Sequence, residues 1–255
     1  MARSGTGSVK NGHDLAGKKV LITGGARRIG RAIALRLAES GADIAFTYLH
    51  SEAEAEELVA QIGRMKRHAF AVRCDVTDER SVQETIKEVV RKMGGIDVLV
   101  NNAALYETVP FEEITVQQWD RMFASNARGP FLVSRAALES LRKRQGRIIN
   151  LGSLGGLRPW ASHAHYCASK AALTMLSQIM AKALAPEVSV NCVAPGMIDT
   201  GENPGSKTLK HFAEKTPMRR NGTNEDIAEA VLFFAAAPKF ITGQTLVVDG
   251  GLGLV

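Results

Sequence analysis

The chain contains no uninterrupted apolar run of about 18 residues, so nothing in it reads as a membrane span. Cysteine is scarce: Cys74, Cys167 and Cys192 are widely spaced, form no CxxC pair and leave an odd count. That excludes a disulfide framework and points to reduced thiols in a reducing compartment. The first 14 residues, MARSGTGSVKNGHD, lack the apolar middle of a secretory signal and read as a flexible tail. No linker, short repeat or low-complexity tract interrupts the rest. The expectation is a cytoplasmic protein in which residues 15–255 form one catalytic domain.

What is present is apolar enough to bury a large core, at 45% hydrophobic over 255 residues. The net charge of +6 admits a nucleic acid, an acidic protein or a polyanionic cofactor as partner. The densest basic run, Leu141-Arg142-Lys143-Arg144-Gln145-Gly146-Arg147, lacks the interleaved aromatics of a single-strand binder. It reads as the solvated end of a helix stopping at Gly146, where cations complement the dipole, and nucleic acid is not expected as a partner.

Short apolar runs alternate with helical patterns. Strands are expected at Lys19 to Thr23, Asp43 to Tyr48, Ala69 to Cys74, Val98 to Asn101, Arg147 to Leu151, Val188 to Val193 and Thr245 to Val248. Helical spacing occupies Ile29 to Ser40, Glu52 to Ile62, Ser81 to Met93 and Tyr166 to Leu184. Strands apolar on both faces need helices on both sides, so the fold class is α/β: a Rossmann-type doubly wound parallel sheet flanked by helices. Residues 197–224 carry weak patterning and many turn residues, and they follow a strand end where ligands lie in such sheets. They are expected to form a lid over the substrate.

Between the first strand and first helix stands Ile22-Thr23-Gly24-Gly25-Ala26-Arg27-Arg28-Ile29-Gly30, a glycine-rich turn suited to an anion at a helix N-terminus. The G-x-G-x-x-G spacing is absent. Dinucleotide folds place an acid roughly 20 residues on, at the end of the second strand, for the adenosine ribose. Here that stretch reads Thr47-Tyr48-Leu49-His50-Ser51, without a carboxylate. The missing acid, nearby hydroxyls and Arg27 together favour a 2′-phosphate, and so NADP(H) over NAD. Further on, Tyr166-Cys167-Ala168-Ser169-Lys170 puts a phenol and an ammonium on one helix face, where the cation is expected to lower the phenol pKa.

Thr23-Gly24 with Gly30, Asn101-Asn102-Ala103, Asn126, Ser153, Tyr166 with Lys170, and Pro195-Gly196 with Thr200 follow the order and spacing of the short-chain dehydrogenase/reductase family. The chain resembles that family from about Leu15 to the end, including the closing Val248-Asp249-Gly250-Gly251. The resemblance implies that Tyr166 gives a proton to a carbonyl oxygen, that Ser153 hydrogen-bonds that oxygen, and that Lys170 tunes the tyrosine and holds the nicotinamide ribose. It implies that Asn126 positions a water in the proton relay. It assigns to the cofactor the turn residues Thr23, Gly24, Arg27, Arg28, Ile29 and Gly30, the strand-end residues Tyr48, His50 and Ser51, and the Asp75-Val76 pair. Asn102, Ala103 and Ala104 join them, as do Pro195, Gly196, Ile198 and Thr200. No metal is required, and His163 and His165 are expected to line the substrate mouth.

Arg28 stands where most of the family has a second turn glycine, and the bacterial pteridine reductases share that arginine. Those enzymes carry an aspartate where this chain has Ser153, and serine suits a simple ketone. The 3-oxoacyl-acyl-carrier-protein reductases are the nearest general resemblance. They imply an acyl-thioester substrate on an acidic carrier protein, with Arg121, Arg128 and Lys143 as candidate docking cations, and a homotetramer. The alternatives are a pteridine-type reductase acting on a C=N bond and a catalytically silent NADP-binding regulator, the latter disfavoured by intact Ser153, Tyr166 and Lys170.

Overall fold

Strands without hydrophobic alternation must be covered on both faces, and the fold meets that demand with one parallel sheet between two helical layers. The computed structural model describes residues 14–255. The tail expected over residues 1–14 lies outside them except for Asp14, whose carboxylate accepts from the Ala16 N–H at 2.8 Å. Seven strands, β1 (Lys19–Ile22), β2 (Asp43–Tyr48), β3 (Ala69–Arg73), β4 (Val98–Asn101), β5 (Arg147–Leu151), β6 (Ser189–Pro195) and β9 (Thr245–Val248), lie in the order β3-β2-β1-β4-β5-β6-β9. Every pairing is parallel. A separate two-stranded ribbon joins β7 (Ile198–Asp199) to β8 (Gly222–Thr223).

Helices α1 (Arg28–Glu39), α2 (Glu52–Arg64) and α8 (Asn224–Ala236) cover one face, burying Ile33, Leu37, Leu58 and Val231. The other face is covered by α3 (Glu79–Met93), α5 (Gly129–Lys143) and α6 (Ala164–Ala183), with Val89, Leu141 and Met180 inward. No helix among the described residues is long and apolar enough to cross a membrane.

The expected strands and helices reappear with ends shifted by one to two residues. Sequence periodicity missed α4 (Val116–Phe123), α7 (Lys207–Lys215) and α8, and left α5 as an unplaced helix end. α8 is apolar on nearly all sides, burying Ile227, Ala228, Val231, Leu232 and Phe234, so it has no polar stripe to reveal it. α7 buries nothing fully and is started by a Ser206 side chain accepting from the Leu209 N–H. The basic run closes α5 as anticipated, with Arg142 and Lys143 in its last turn, although the helix ends at Lys143. Its charges stay local: Lys143 bonds Glu139 at 2.6 Å and Arg144 donates to the Gly94 carbonyl at 2.6 Å.

The order in which successive strands are added to the sheet reverses between β1 and β4. The carboxyl ends of these two strands therefore open a crevice lined by the turn after β1 and the segment after β4.

Candidate active site

The turn after β1 is held by short polar contacts. Thr23, 2% exposed, accepts from the Asn102 and Ala103 N–H groups at 3.0 Å each. Asn102 Nδ2 donates back to the Thr23 and Gly24 carbonyls at 2.9 Å each. Asn102 thus staples the ends of β1 and β4 together, its side-chain amide engaged by the main chain at the place where it was expected to line the cofactor. Gly24 sits at φ +64, and a Cβ on Gly30 would lie 2.2 Å from the Gly24 oxygen, so both glycines serve the close approach of turn and helix. Arg28 adopts φ +50, the left-handed conformation of the glycine it replaces. Ile29 packs on the core behind it.

Helix α1 begins with no side-chain cap and no acid in its first turn, leaving its N–H groups available to an anion. Beside it, Arg27 and Arg28 both reach Glu202: Arg27 Nη2 at 2.9 Å and Arg28 Nε at 2.5 Å. Glu54 stands 3.7 Å from Arg27 Nε. Sequence reasoning missed both acids, because Glu202 is distant in the chain and Glu54 is one of several charges opening α2. At the end of β2 the stretch without a carboxylate lies next to one in space, since the Tyr48 hydroxyl contacts Glu52 at 3.3 Å. His50 is exposed, and Ser51 precedes α2 without a capping bond from its side chain. After β3, one Asp75 oxygen accepts from the Thr77 N–H at 2.8 Å and its hydroxyl at 2.7 Å, while Val76 is buried. Ala104 is exposed beyond the staple. At the end of β6, Pro195 pairs with Val248, and a Cβ on Gly196 would approach Asp249 Cβ to 2.6 Å. Ile198 lies in the ribbon, with Thr200 half-buried after it.

The reacting end gathers on β5 and α6. Ser153 follows β5 and is 5% exposed; its Oγ accepts from the Gly155 N–H at 3.0 Å, and both this oxygen and the edge of the Tyr166 ring lie against Gly155. Lys170, one helical turn beyond Tyr166, donates to the Leu151 carbonyl at 2.7 Å. Its nitrogen lies 5.9 Å from the Tyr166 ring centroid. Burial pushes the Tyr166 phenol up to about 12, and the Ser153 hydrogen bond opposes that rise. Burial also pulls Lys170 down to about 8. The lowering expected from the lysine is not seen: desolvation is the largest cause of the Tyr166 shift, Tyr106 and Cys167 push the same way, and only Ser153 opposes it. Asn126 lies in a single π-helical turn, Ala124–Arg128, between α4 and α5, a local widening that recurs at functional sites. Its Oδ1 accepts from the Leu105 N–H at 2.8 Å, and its Nδ2 reaches the Leu105 carbonyl at 2.9 Å and Ser169 Oγ at 3.1 Å.

Among the residues missed, Tyr106 contacts Tyr166 edge-on, with ring centroids 5.0 Å apart. Its hydroxyl hydrogen-bonds His163 Nε2 at 2.8 Å. His163 is buried between Tyr106 and Trp160, and His165 is fully buried, 3.5 Å from Glu107, so the reading that placed both histidines at the mouth is corrected for His165. Helical geometry turns alternate residues to different sides, which the His-Ala-His spelling hides. Cys167 is half-buried with its thiol pushed up by burial, as a packed thiol should be. Among the described residues no three His, Cys, Asp or Glu side chains are grouped to hold a metal ion.

Known proteins are similar to this chain over most of its length. The family described as Enoyl-(Acyl carrier protein) reductase matches residues 24–253. The 3-oxoacyl-[acyl-carrier-protein] reductase FabG of Staphylococcus epidermidis is 40% identical over 92% of this chain and 98% of its own length. The 2,5-dichloro-2,5-cyclohexadiene-1,4-diol dehydrogenase LinX of Sphingobium indicum is 40% identical over 93% of this chain and 96% of its own. A short chain dehydrogenase from Burkholderia cenocepacia, solved in complex with NADP, superposes with a TM-score of 0.89 at 37% identity, covering 93% of this chain and 98% of that one. With the parallel seven-stranded sheet, the stapled turn and the Ser153–Tyr166–Lys170 cluster, these likenesses establish that the chain belongs to the short-chain dehydrogenase/reductase family.

Proposed function

We propose that this protein reduces a ketone to an alcohol, with NADPH as the hydride source and Tyr166 as the proton source. The observation that carries the reading is the grouping of Ser153, Tyr166 and Lys170 at the carboxyl end of β5, with Ser153 Oγ and the Tyr166 ring both against Gly155, Lys170 one helical turn beyond, and the Tyr166 phenol kept protonated by burial. A phenol in that state keeps its proton at neutral pH and has one to give as negative charge develops on a nearby oxygen. Gly155 donates to Ser153 Oγ, which leaves the Ser153 proton free to serve as a second donor. Lys170, anchored on the Leu151 carbonyl, brings positive charge one turn away.

NADPH supplies hydride to the carbonyl carbon when bound. Three features of the chain fit it: the uncapped start of α1, two arginines beside that start, and no acid in the Thr47–Ser51 stretch. The NADP carried by the Burkholderia relative and the reductase name of the Staphylococcus one support the same assignment. FabG is named a 3-oxoacyl reductase and LinX a cyclohexadiene-diol dehydrogenase, so the relatives act on very different carbon skeletons.

Carrier-protein docking through Arg121, Arg128 and Lys143 has less support, since each is engaged within the chain: Arg121 with Glu107, Arg128 with the Thr77 carbonyl and Lys143 with Glu139. We read the protein as cytoplasmic from its three unpaired thiols, and as a homotetramer from its family, with the exposed Leu254 and Val255 of the C-terminal tail available to a neighbouring copy. The test is NADPH absorbance with β-ketoacyl thioesters, simple ketones and dihydropterins. Oxidation with a ketone or thioester supports the reading, oxidation with pterins alone replaces it, and tight NADPH binding without turnover of any of them points to a regulator.

A further inference from the structure

Aromatic side chains are rare in this chain, which has three tyrosines and two tryptophans. Two of the three tyrosines and one of the two tryptophans stand in a single row at the reacting end. Tyr166 meets Tyr106 at 5.0 Å and 85°, Tyr106 meets His163 at 5.2 Å and 32°, and His163 meets Trp160 at 5.6 Å and 80°. Trp160 then stacks on Phe212 at 5.9 Å and 29°. All of these separations fall in the range of favourable ring contacts.

The row is not part of either core, whose buried members are overwhelmingly aliphatic. Tyr106 is 55% exposed, and Trp160 and Phe212 are half-buried. The Tyr106 hydroxyl is held by His163 Nε2, which Thr108 Oγ1 also contacts at 2.9 Å, so the ring is fixed before any ligand arrives. Phe212 comes from α7, inside the segment expected to cover the substrate, so the row joins the lid to the proton donor.

We infer that the substrate is a ketone bearing a planar ring next to its carbonyl, and that Tyr106 and Trp160 select it. This rests on the ketone-reductase reading above. With the carbonyl oxygen at Tyr166, a ring attached to the carbonyl carbon meets the open part of Tyr106 and continues the alternation of edges and faces toward Trp160. A linear alkyl group covers these rings but offers no ring face or edge to pair with theirs. Pre-fixed aromatic rings give contact area with little ordering cost.

The test compares the full-length protein and its variants on an aryl methyl ketone and a linear methyl ketone of equal carbon count, both with NADPH. The aryl ketone is expected to have a kcat/KM about tenfold higher, the scale of one to two aromatic contacts. Tyr106→Leu and Trp160→Leu should each lower the ratio of aryl to linear kcat/KM about tenfold, whatever they do to the absolute rates, and Tyr106→Phe should retain the ratio. Affinity of the aryl alcohol for the NADP-loaded Tyr166→Phe variant, read by calorimetry, should fall in parallel when Trp160→Leu is added. Equal rates for the two ketones, or equal losses in the variants, overturn the inference and leave the reductase reading intact. Turnover of a β-ketoacyl thioester without turnover of the aryl ketone does the same. No NADPH oxidation with any ketone or thioester removes both.

Discussion

The two ends of the crevice handle charge in opposite ways. At the α6 end the ionisable groups are withdrawn from water: Lys170 is 3% exposed, and burial dominates the acidity of both Lys170 and Tyr166. At the α1 end the side chains of Arg27 and Arg28 are about half exposed, and each is paired with an acid. The contrast follows from the tasks assigned to the two ends. Keeping a proton on a phenol at neutral pH requires desolvation, which acts over atomic distances and is insensitive to salt. Attracting a phosphate works through surface charge and open helix N–H groups, and surface charge is screened.

The largest effect belongs to the buried end. Tyr166→Phe should lower turnover by about 10²–10⁴, the scale of a lost proton donor, with the NADPH dissociation constant unchanged. Equal loss of binding and turnover would erase the division between the two ends. A second measure of the same end is stability against pH. Lys170 titrates near 8 in the folded protein against an ordinary 10.5, so between those values the unfolded chain binds the proton and the native one does not. Native stability therefore gains from this residue as pH rises from about 8 toward 10.5. Above 10 Tyr166 opposes the gain, because the native phenol keeps its proton to about 12. Urea midpoints at about pH 8 and pH 9.5 should rise less in Lys170→Met than in the parent, and parallel slopes would show that burial does not set this titration.

The same contrast explains what could be read from the sequence. The sheet was legible because β1, β4, β5 and β6 are apolar on both faces, and the reacting cluster because phenol and ammonium recur one helical turn apart. The direction of the Tyr166 shift was not legible, since desolvation depends on what packs around the ring and not on local spacing. Nor was the pairing of Arg27 with Glu202, separated by 175 positions. The role of Asn102 was half legible: the motif placed it in the crevice, but only the fold reveals that its amide is consumed by the Thr23 and Gly24 carbonyls. α8 was lost because a helix buried nearly all round has no polar stripe.

At the exposed end the effects are smaller and depend on salt. Arg27→Ala should weaken NADPH about tenfold at low ionic strength and NADH much less, because the 2′-phosphate is the difference between them. Fluorescence titration of both nucleotides checks it, and equal weakening would assign Arg27 to the diphosphate they share.

The smallest effect is expected from Glu202, and it tests how the two ends differ. One carboxylate contacts both turn arginines, so an arriving phosphate has to compete with it for the same guanidinium groups. The phosphate carries about −1.5 to −2 charges against −1 for the acid, so it wins, but at the cost of breaking two ion pairs. Exposed pairs are individually weak, so Glu202→Gln should tighten NADPH only about two- to threefold. The gain should be lost by about 1 M salt, where screening extends over only about 3 Å. The same substitution leaves Tyr166 and Lys170 untouched and should not move kcat or its pH profile. Weaker NADPH binding in Glu202→Gln would mean that the acid orders the two arginines for the phosphate and does not contend with it. The exposed end would then be preorganised much as the buried end is.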